Sequence, residues 1–139
     1  MERSLVLIKP DAMQRGLAGT ITNRLESQGL KLIAVKMLHP DKALARQLYA
    51  IHRGKPFYES LVDYISSVPI IAAVFKGKGA VEAIRETMGA TDPAKAEAGT
   101  IRGDFGLDIG RNTIHGSDSV ETAEEEIKLI FSEDEIFNY

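Results

Sequence analysis

The 139-residue sequence contains no cysteine. Disulfide frameworks, thiolate nucleophiles and Cys-based zinc or iron–sulfur sites are therefore excluded, and a reducing compartment, the cytosol, is the simplest home. Tryptophan is absent and aromatics are only 6%, with no aromatic-rich strand of the RNA-recognition type. No apolar run approaches the ~20 residues that cross a bilayer, so no membrane partner is expected. Met1-Glu2-Arg3-Ser4 leads straight into a strand-like segment instead of a signal peptide, so the mature chain is expected to start near Met1. A large excess of one charge is also missing: 17 Lys plus Arg against 20 Asp plus Glu leaves −3. That balance gives no bulk attraction to polyanions, and no sequence-specific nucleic-acid partner is expected. The glycine patterns G-x-x-x-x-G-K-[ST] and G-x-G-x-x-G do not occur, so any phosphate site must use side chains.

What is present fits one compact domain, residues 1–139, with 44% hydrophobic residues to build its core. Ser4 to Lys9 is an unbroken apolar run stopped by Pro10, which predicts a strand covered on both faces. Gly19 to Gln28 predicts a helix with Ile21 and Leu25 inward, closed by Gly29 in the left-handed conformation. Leu30 to Leu38 alternates apolar residues with Lys31 and Lys36, as in a strand with one face near solvent. Asp41 to Ile51 predicts a helix with Ala43, Leu44, Leu48 and Ile51 inward, and Pro56 to Ser67 a shorter one using Leu61, Val62 and Ile65. Val68 to Phe75 is another apolar strand, and Ala80 to Met88 a helix. From Gly89 to Gly110, glycines and Pro93 are scattered without a period, which predicts a long loop of functional kind. A short strand, Asn112 to His115, and a helix from about Ser119 to Phe131 with Val120, Ala123, Ile127 and Ile130 inward close the chain. The interleaved order predicts an α+β fold: a ferredoxin-like βαββαβ antiparallel four-stranded sheet with helices packed on one face and a long inserted loop.

The chemistry concentrates around Asn112-Thr113-Ile114-His115-Gly116-Ser117-Asp118-Ser119. His115 lies between a strand and a helix N-terminus, beside a glycine that leaves space before the ring, where an anion is favoured. Glu126, two turns beyond the Ser119 cap on the same helical face, can turn its carboxylate back toward His115. A carboxylate that fixes one imidazole tautomer leaves the other nitrogen as a nucleophile. Spacing alone also allows a loop histidine beside a solvated acidic helix. Ser117 and Asp118 complete a Ser, His, Asp cluster, but neighbours in sequence point in different directions and G-x-S-x-G is missing; helix capping by Ser117 or Ser119 is the better reading. Lys9, Arg85, Thr91 and Arg102 form a second set suited to a polyphosphate, although each alone reads more simply as a surface ion pair. Tyr49, Phe57 and Tyr58 suit packing of a helix pair better than base stacking. His39 and His52 read as structural, and three histidines without cysteine give no metal spacing.

The segment from Asn112 to Ser119 closely resembles the active-site motif of the nucleoside diphosphate kinases. Ile8-Lys9-Pro10-Asp11, Arg53 to Phe57, Gly89 to Ala94 and Gly99 to Phe105 match further blocks of that family in the same order. The resemblance implies that His115 is phosphorylated at Nδ1, with Glu126 its carboxylate partner, Ser117 bridging the two and Tyr49 beside the ring. It implies that Lys9 and Asn112 hold the ribose hydroxyls and phosphate chain, and that Arg85, Thr91 and Arg102 grip the terminal phosphates. The base would stack on Phe57, with Ile109 in place of the commoner valine opposite; a π-face is common to every base, so little base specificity is implied. Mg2+ would be held mainly by substrate and water, with Asp118 contributing through a water. The implied activity is γ-phosphoryl transfer from a nucleoside triphosphate to a nucleoside diphosphate by a ping-pong route, maintaining triphosphate pools. The implied assembly is a homo-oligomer, a hexamer built from dimers in preference to a tetramer. The competing class is a ferredoxin-like nucleotide-binding or RNA-binding regulatory module without catalysis, which the fold alone does not separate.

Overall fold

The strand β1 (Glu2–Ile8) is central because each residue from Ser4 to Ile8 is buried, so both faces of its apolar run need cover. The computed structural model describes residues 1–139. β1 pairs antiparallel with β3 (Ile70–Gly77), placing Leu5 opposite Val74 and Leu7 opposite Ala72. On its other side it pairs with β4 (Ile114–Gly116), placing Leu7 opposite His115. β2 (Lys31–Leu38) extends the sheet beyond β3, giving the order β2-β3-β1-β4. This is the four-stranded antiparallel ferredoxin-like sheet expected from the element order.

The helices lie on both faces of the sheet, not on one. Leu5, Leu7, Ala72 and Val74 pack against α3 (Lys42–Leu48), α4 (Tyr58–Ile65) and α7 (Val120–Ile130). Val6, Ile8, Ala73 and Phe75 pack against α2 (Ala18–Glu26), α5 (Ala80–Met88) and a helix inside the long loop, α6 (Ile101–Phe105). The period-2 alternation of β1 and β3 divides their side chains between these two cores.

Other departures from the sequence reading have local causes. A short helix, α1 (Pro10–Gln14), follows β1 at once, its proline at the first helical position, where a missing N–H costs nothing. The segment 89–110 is folded: Thr100 caps α6 by accepting from the Gly103 N–H at 3.1 Å. Arg24 ties the same segment down through Asp104 at 2.7 Å. The helix expected to reach Ile51 ends at Leu48 and tightens into a 3₁₀ turn over Ala50–His52, which rotates Ile51 outward to 76% exposure. Val120, the first residue of α7, is likewise exposed, while Ala123, Ile127 and Ile130 point inward as expected. In β2 a bulge between Leu32 and Ala34 shifts the alternation, leaving Val35 and Met37 exposed and Lys36 half-buried. Gly29 ends α2 at φ 82°, as expected.

Candidate active site

Register aims the histidine. His115 faces Leu7 across the β1–β4 ladder, and directly opposed residues share a face, so its ring turns toward the α7 side of the sheet. There its Nε2 lies 3.0 Å from Glu126 Oε1. The same oxygen accepts from the Ser117 hydroxyl at 2.6 Å. A carboxylate only accepts, so Nε2 carries the hydrogen and Nδ1 carries the lone pair. Glu126 and Ser117 are buried, and the ring is partly exposed toward a cleft of about 750 Å³. Ser119, not Ser117, caps α7 by accepting from the Thr122 N–H at 3.0 Å; Ser117 is spent on the carboxylate.

Of the residues singled out from the sequence, Lys9, Tyr49, Phe57, Arg85, Thr91, Arg102, Ile109, Asn112, Asp118 and Glu126 line this cleft with His115, while Ser117 lies behind the ring's carboxylate partner and Tyr58 and His39 lie outside it. Lys9 is buried and donates to Asn112 Oδ1 at 2.8 Å, and the Asn112 amide donates in turn to the Thr91 carbonyl at 3.0 Å. Burial pushes the Lys9 ammonium down to about 8, helped by Arg102 and opposed by Asp11. Its charge is therefore present at neutral pH and is lost as pH climbs through that value. Arg102 is also buried, and donates to the carbonyls of Asn112, Gly89 and Ile114 at 3.3, 3.2 and 2.7 Å. Burial and then Arg85 lower it to about 10, so it stays charged at neutral pH with N–H groups still free for an anion. Tyr49 is buried in the cleft wall, and its hydroxyl has no hydrogen-bond partner; burial and then Glu126 raise its pKa.

Phe57, 47% exposed, and Ile109, 65% exposed, are large apolar side chains open to the cleft. Phe57 thus does not pack the helix pair, whereas Tyr58 is buried between α3 and α4. Asp118 is an exposed carboxylate on the rim, and no three carboxylate or histidine groups gather into a metal cage. That donor set suits a hydrated divalent cation met by one carboxylate through water, not one held by the protein alone. The backbone before His115 is strained: Thr113 has φ 71°, and the Ile114 N–H donates to the Asn112 carbonyl at 2.8 Å, closing a γ-turn of the rarer, positive-φ form.

The model of the family described as nucleoside diphosphate kinase matches residues 2–136. A nucleoside diphosphate kinase of Dehalococcoides mccartyi is 59% identical over all of this chain and 98% of its own length. One from Archaeoglobus fulgidus is 55% identical over all of this chain and 92% of its own. The chain belongs to the nucleoside diphosphate kinase family. Among solved structures of the family, the Halobacterium salinarum enzyme in complex with CDP superposes with a TM-score of 0.97 at 47% identity, over 99% of this chain and 92% of that one. The Aquifex aeolicus nucleoside diphosphate kinase gives 0.95 at 42%, over 98% and 99%.

Two features of this nucleoside diphosphate kinase site escaped the sequence reading. His52, read as structural, forms part of the cleft wall, its ring 5.3 Å from Phe57 and 6.2 Å from Tyr49. Burial, then Lys55 and His115, lower its pKa. The three-residue spacing from Tyr49 to His52 was a usable signal, since it sets both on one helical face. Gly116 does not leave room before the histidine. A Cβ there would come within 2.5 Å of Met88 Sδ and 3.0 Å of Ile84 Cγ2, so the glycine allows β4 to press against α5.

Proposed function

We propose that this family member moves the terminal phosphoryl group of a nucleoside triphosphate to a nucleoside diphosphate, with His115 Nδ1 as the relay. The observation that carries the reading is the occupied Nε2: with Glu126 holding that hydrogen, the lone pair on Nδ1 faces a cleft furnished with Lys9, Arg85 and Arg102. In the first half-reaction Nδ1 attacks the γ-phosphorus, the bond to the β–γ bridging oxygen breaks, and the diphosphate leaves. The imidazolium charge that develops is met by Glu126, and the negative charge on the phosphoryl oxygens by Lys9, Arg102 and Arg85. An acceptor diphosphate then enters the same cleft and takes the phosphoryl group in the reverse step. Asn112, with Lys9, holds the ribose and phosphate chain, Thr91 grips the terminal phosphates beside the two arginines, and Tyr49 stands beside the histidine. When bound, Mg2+ would neutralise phosphate charge, with Asp118 as its protein partner through water. Phe57 and Ile109 clamp the two faces of any base without reading its edges.

The chain acts as a homo-oligomer, a hexamer in preference to a tetramer, and works in the cytosol; the exposed Val35 and Met37 on the sheet edge support association between chains, and the lack of cysteine fits a reducing compartment. No helix is long and apolar enough to cross a membrane. The test is incubation with γ-labelled ATP and magnesium. Wild type is expected to yield an acid-labile, alkali-stable phosphoprotein that discharges onto GDP, and His115→Ala to take no label. Equal labelling of His115→Ala would overturn the assignment.

A further inference from the structure

We propose that His52 is the residue that holds Phe57 in place as the platform for the base, a positioning role that deepens the reading above and rests on it. His52 ends the 3₁₀ turn that continues α3, its N–H donating to the Tyr49 carbonyl at 2.8 Å. Gly54, at φ 87°, then turns the chain back, and the Lys55 N–H donates to the His52 carbonyl at 3.0 Å. Glycine adopts that conformation without the strain a side chain would add. The return brings two side chains to the imidazole. Lys55 Nζ donates to His52 Nδ1 at 3.4 Å, and the Phe57 ring lies 5.3 Å away with the two planes inclined at 60°. The same imidazole lies 6.2 Å from the ring of Tyr49, which is buried in the wall of the cleft.

Phe57 needs such a neighbour. Its main chain is fixed as the residue before α4, where its carbonyl accepts from the Leu61 N–H at 3.0 Å, but its ring is nearly half exposed. An exposed ring keeps rotamer freedom, and a base that stacks on it must remove that freedom. No aromatic ring other than His52 packs on Phe57, and the separation and tilt are those of a favourable aromatic pair. The Lys55 ammonium adds a cation–π contact 5.7 Å from the Phe57 ring. An ammonium only donates, so Nδ1 of His52 accepts and Nε2 carries the hydrogen. Burial, Lys55 and His115 all lower its pKa, so the imidazole is neutral at neutral pH and stands beside Lys55 without repulsion. His52 thus joins the loose platform to the fixed wall of the cleft.

The test is calorimetric titration of the full chain, with magnesium, using two ligands: ADP, and inorganic tripolyphosphate, which has the charge but no base. Wild type, His52→Ala, His52→Phe, Phe57→Ala and the His52→Ala, Phe57→Ala double variant are compared. His52→Ala is expected to raise the dissociation constant for ADP about fivefold, the scale of one lost aromatic pair. Its tripolyphosphate affinity is expected to stay within about twofold of wild type, because phosphate contacts are untouched. His52→Phe, which retains a ring, is expected to bind ADP nearly as wild type does. With Phe57 already removed, His52→Ala is expected to change ADP binding by less than about twofold, since the two act as one unit. Unchanged ADP binding in His52→Ala, equal loss of both ligands, no rescue by His52→Phe, or the full loss repeated without Phe57 overturns the proposal. Failure of the base-stacking reading itself shows separately, as Phe57→Ala protein that binds ADP like wild type, and takes the role of His52 with it.

Discussion

A neutral imidazole can hold its hydrogen on either nitrogen, and a histidine left to solvent exchanges between the two forms. At His115 the choice is made by Glu126, which takes Nε2 at 3.0 Å and is itself fixed by Ser117. Glu126→Gln retains a side chain of the same shape but removes the charge that the proposed relay through His115 would use. The phosphorylation rate is expected to fall by roughly 10²-fold while ADP affinity holds, as for loss of a positioned acid–base partner. Rapid-quench labelling with γ-labelled ATP measures it, and a rate within twofold of wild type would show that the carboxylate merely packs. The pairing of His115 with Glu126 was readable from helical spacing, because two turns along one face is a local geometric fact. The burial of Lys9 and Arg102, and the enclosure of Tyr49 without a partner, were not: those depend on how α3, α6 and β4 converge from distant parts of the chain.

The same division between local and distant causes holds for elements. Caps and breakers in the sequence located β1, α2, β3, α5 and α7, since Pro10, Gly29 and Ser119 act on their own neighbours. The short helices α1 and α6 fall below the length at which a hydrophobic period shows, and α6 is held by remote partners such as Arg24. Gly116 illustrates the limit, because its reason lies on α5, which no local pattern around His115 can reveal. Gly116→Ala is expected to cost about 1–3 kcal/mol by overpacking β4 against Met88 and Ile84, and to slow labelling of His115 by moving its strand. Adding Met88→Ala should recover part of both. Thermal melting and the labelling assay check this; a Gly116→Ala protein that melts and labels as wild type would show that α5 yields freely.

At the scale of the molecule, the apolar runs of β1 and β3 announced buried strands, yet a run covered on both faces implies two helical layers, and counting elements alone does not divide them. The sheet also has an unfinished side. β2 lies at its edge with Val35 54% and Met37 64% exposed, and an edge strand carrying apolar side chains favours pairing with another chain. Two lysines in these places should block such pairing while leaving the two cores intact, since neither residue belongs to them. Val35→Lys with Met37→Lys is therefore expected to sediment as a smaller species than wild type, with an unchanged circular dichroism spectrum. Its melting temperature should fall and lose any dependence on protein concentration, because folding would no longer be linked to assembly at ordinary concentrations. A wild-type protein that sediments as a single chain, or a double variant that assembles as wild type does, would place the subunit contacts elsewhere or remove them altogether.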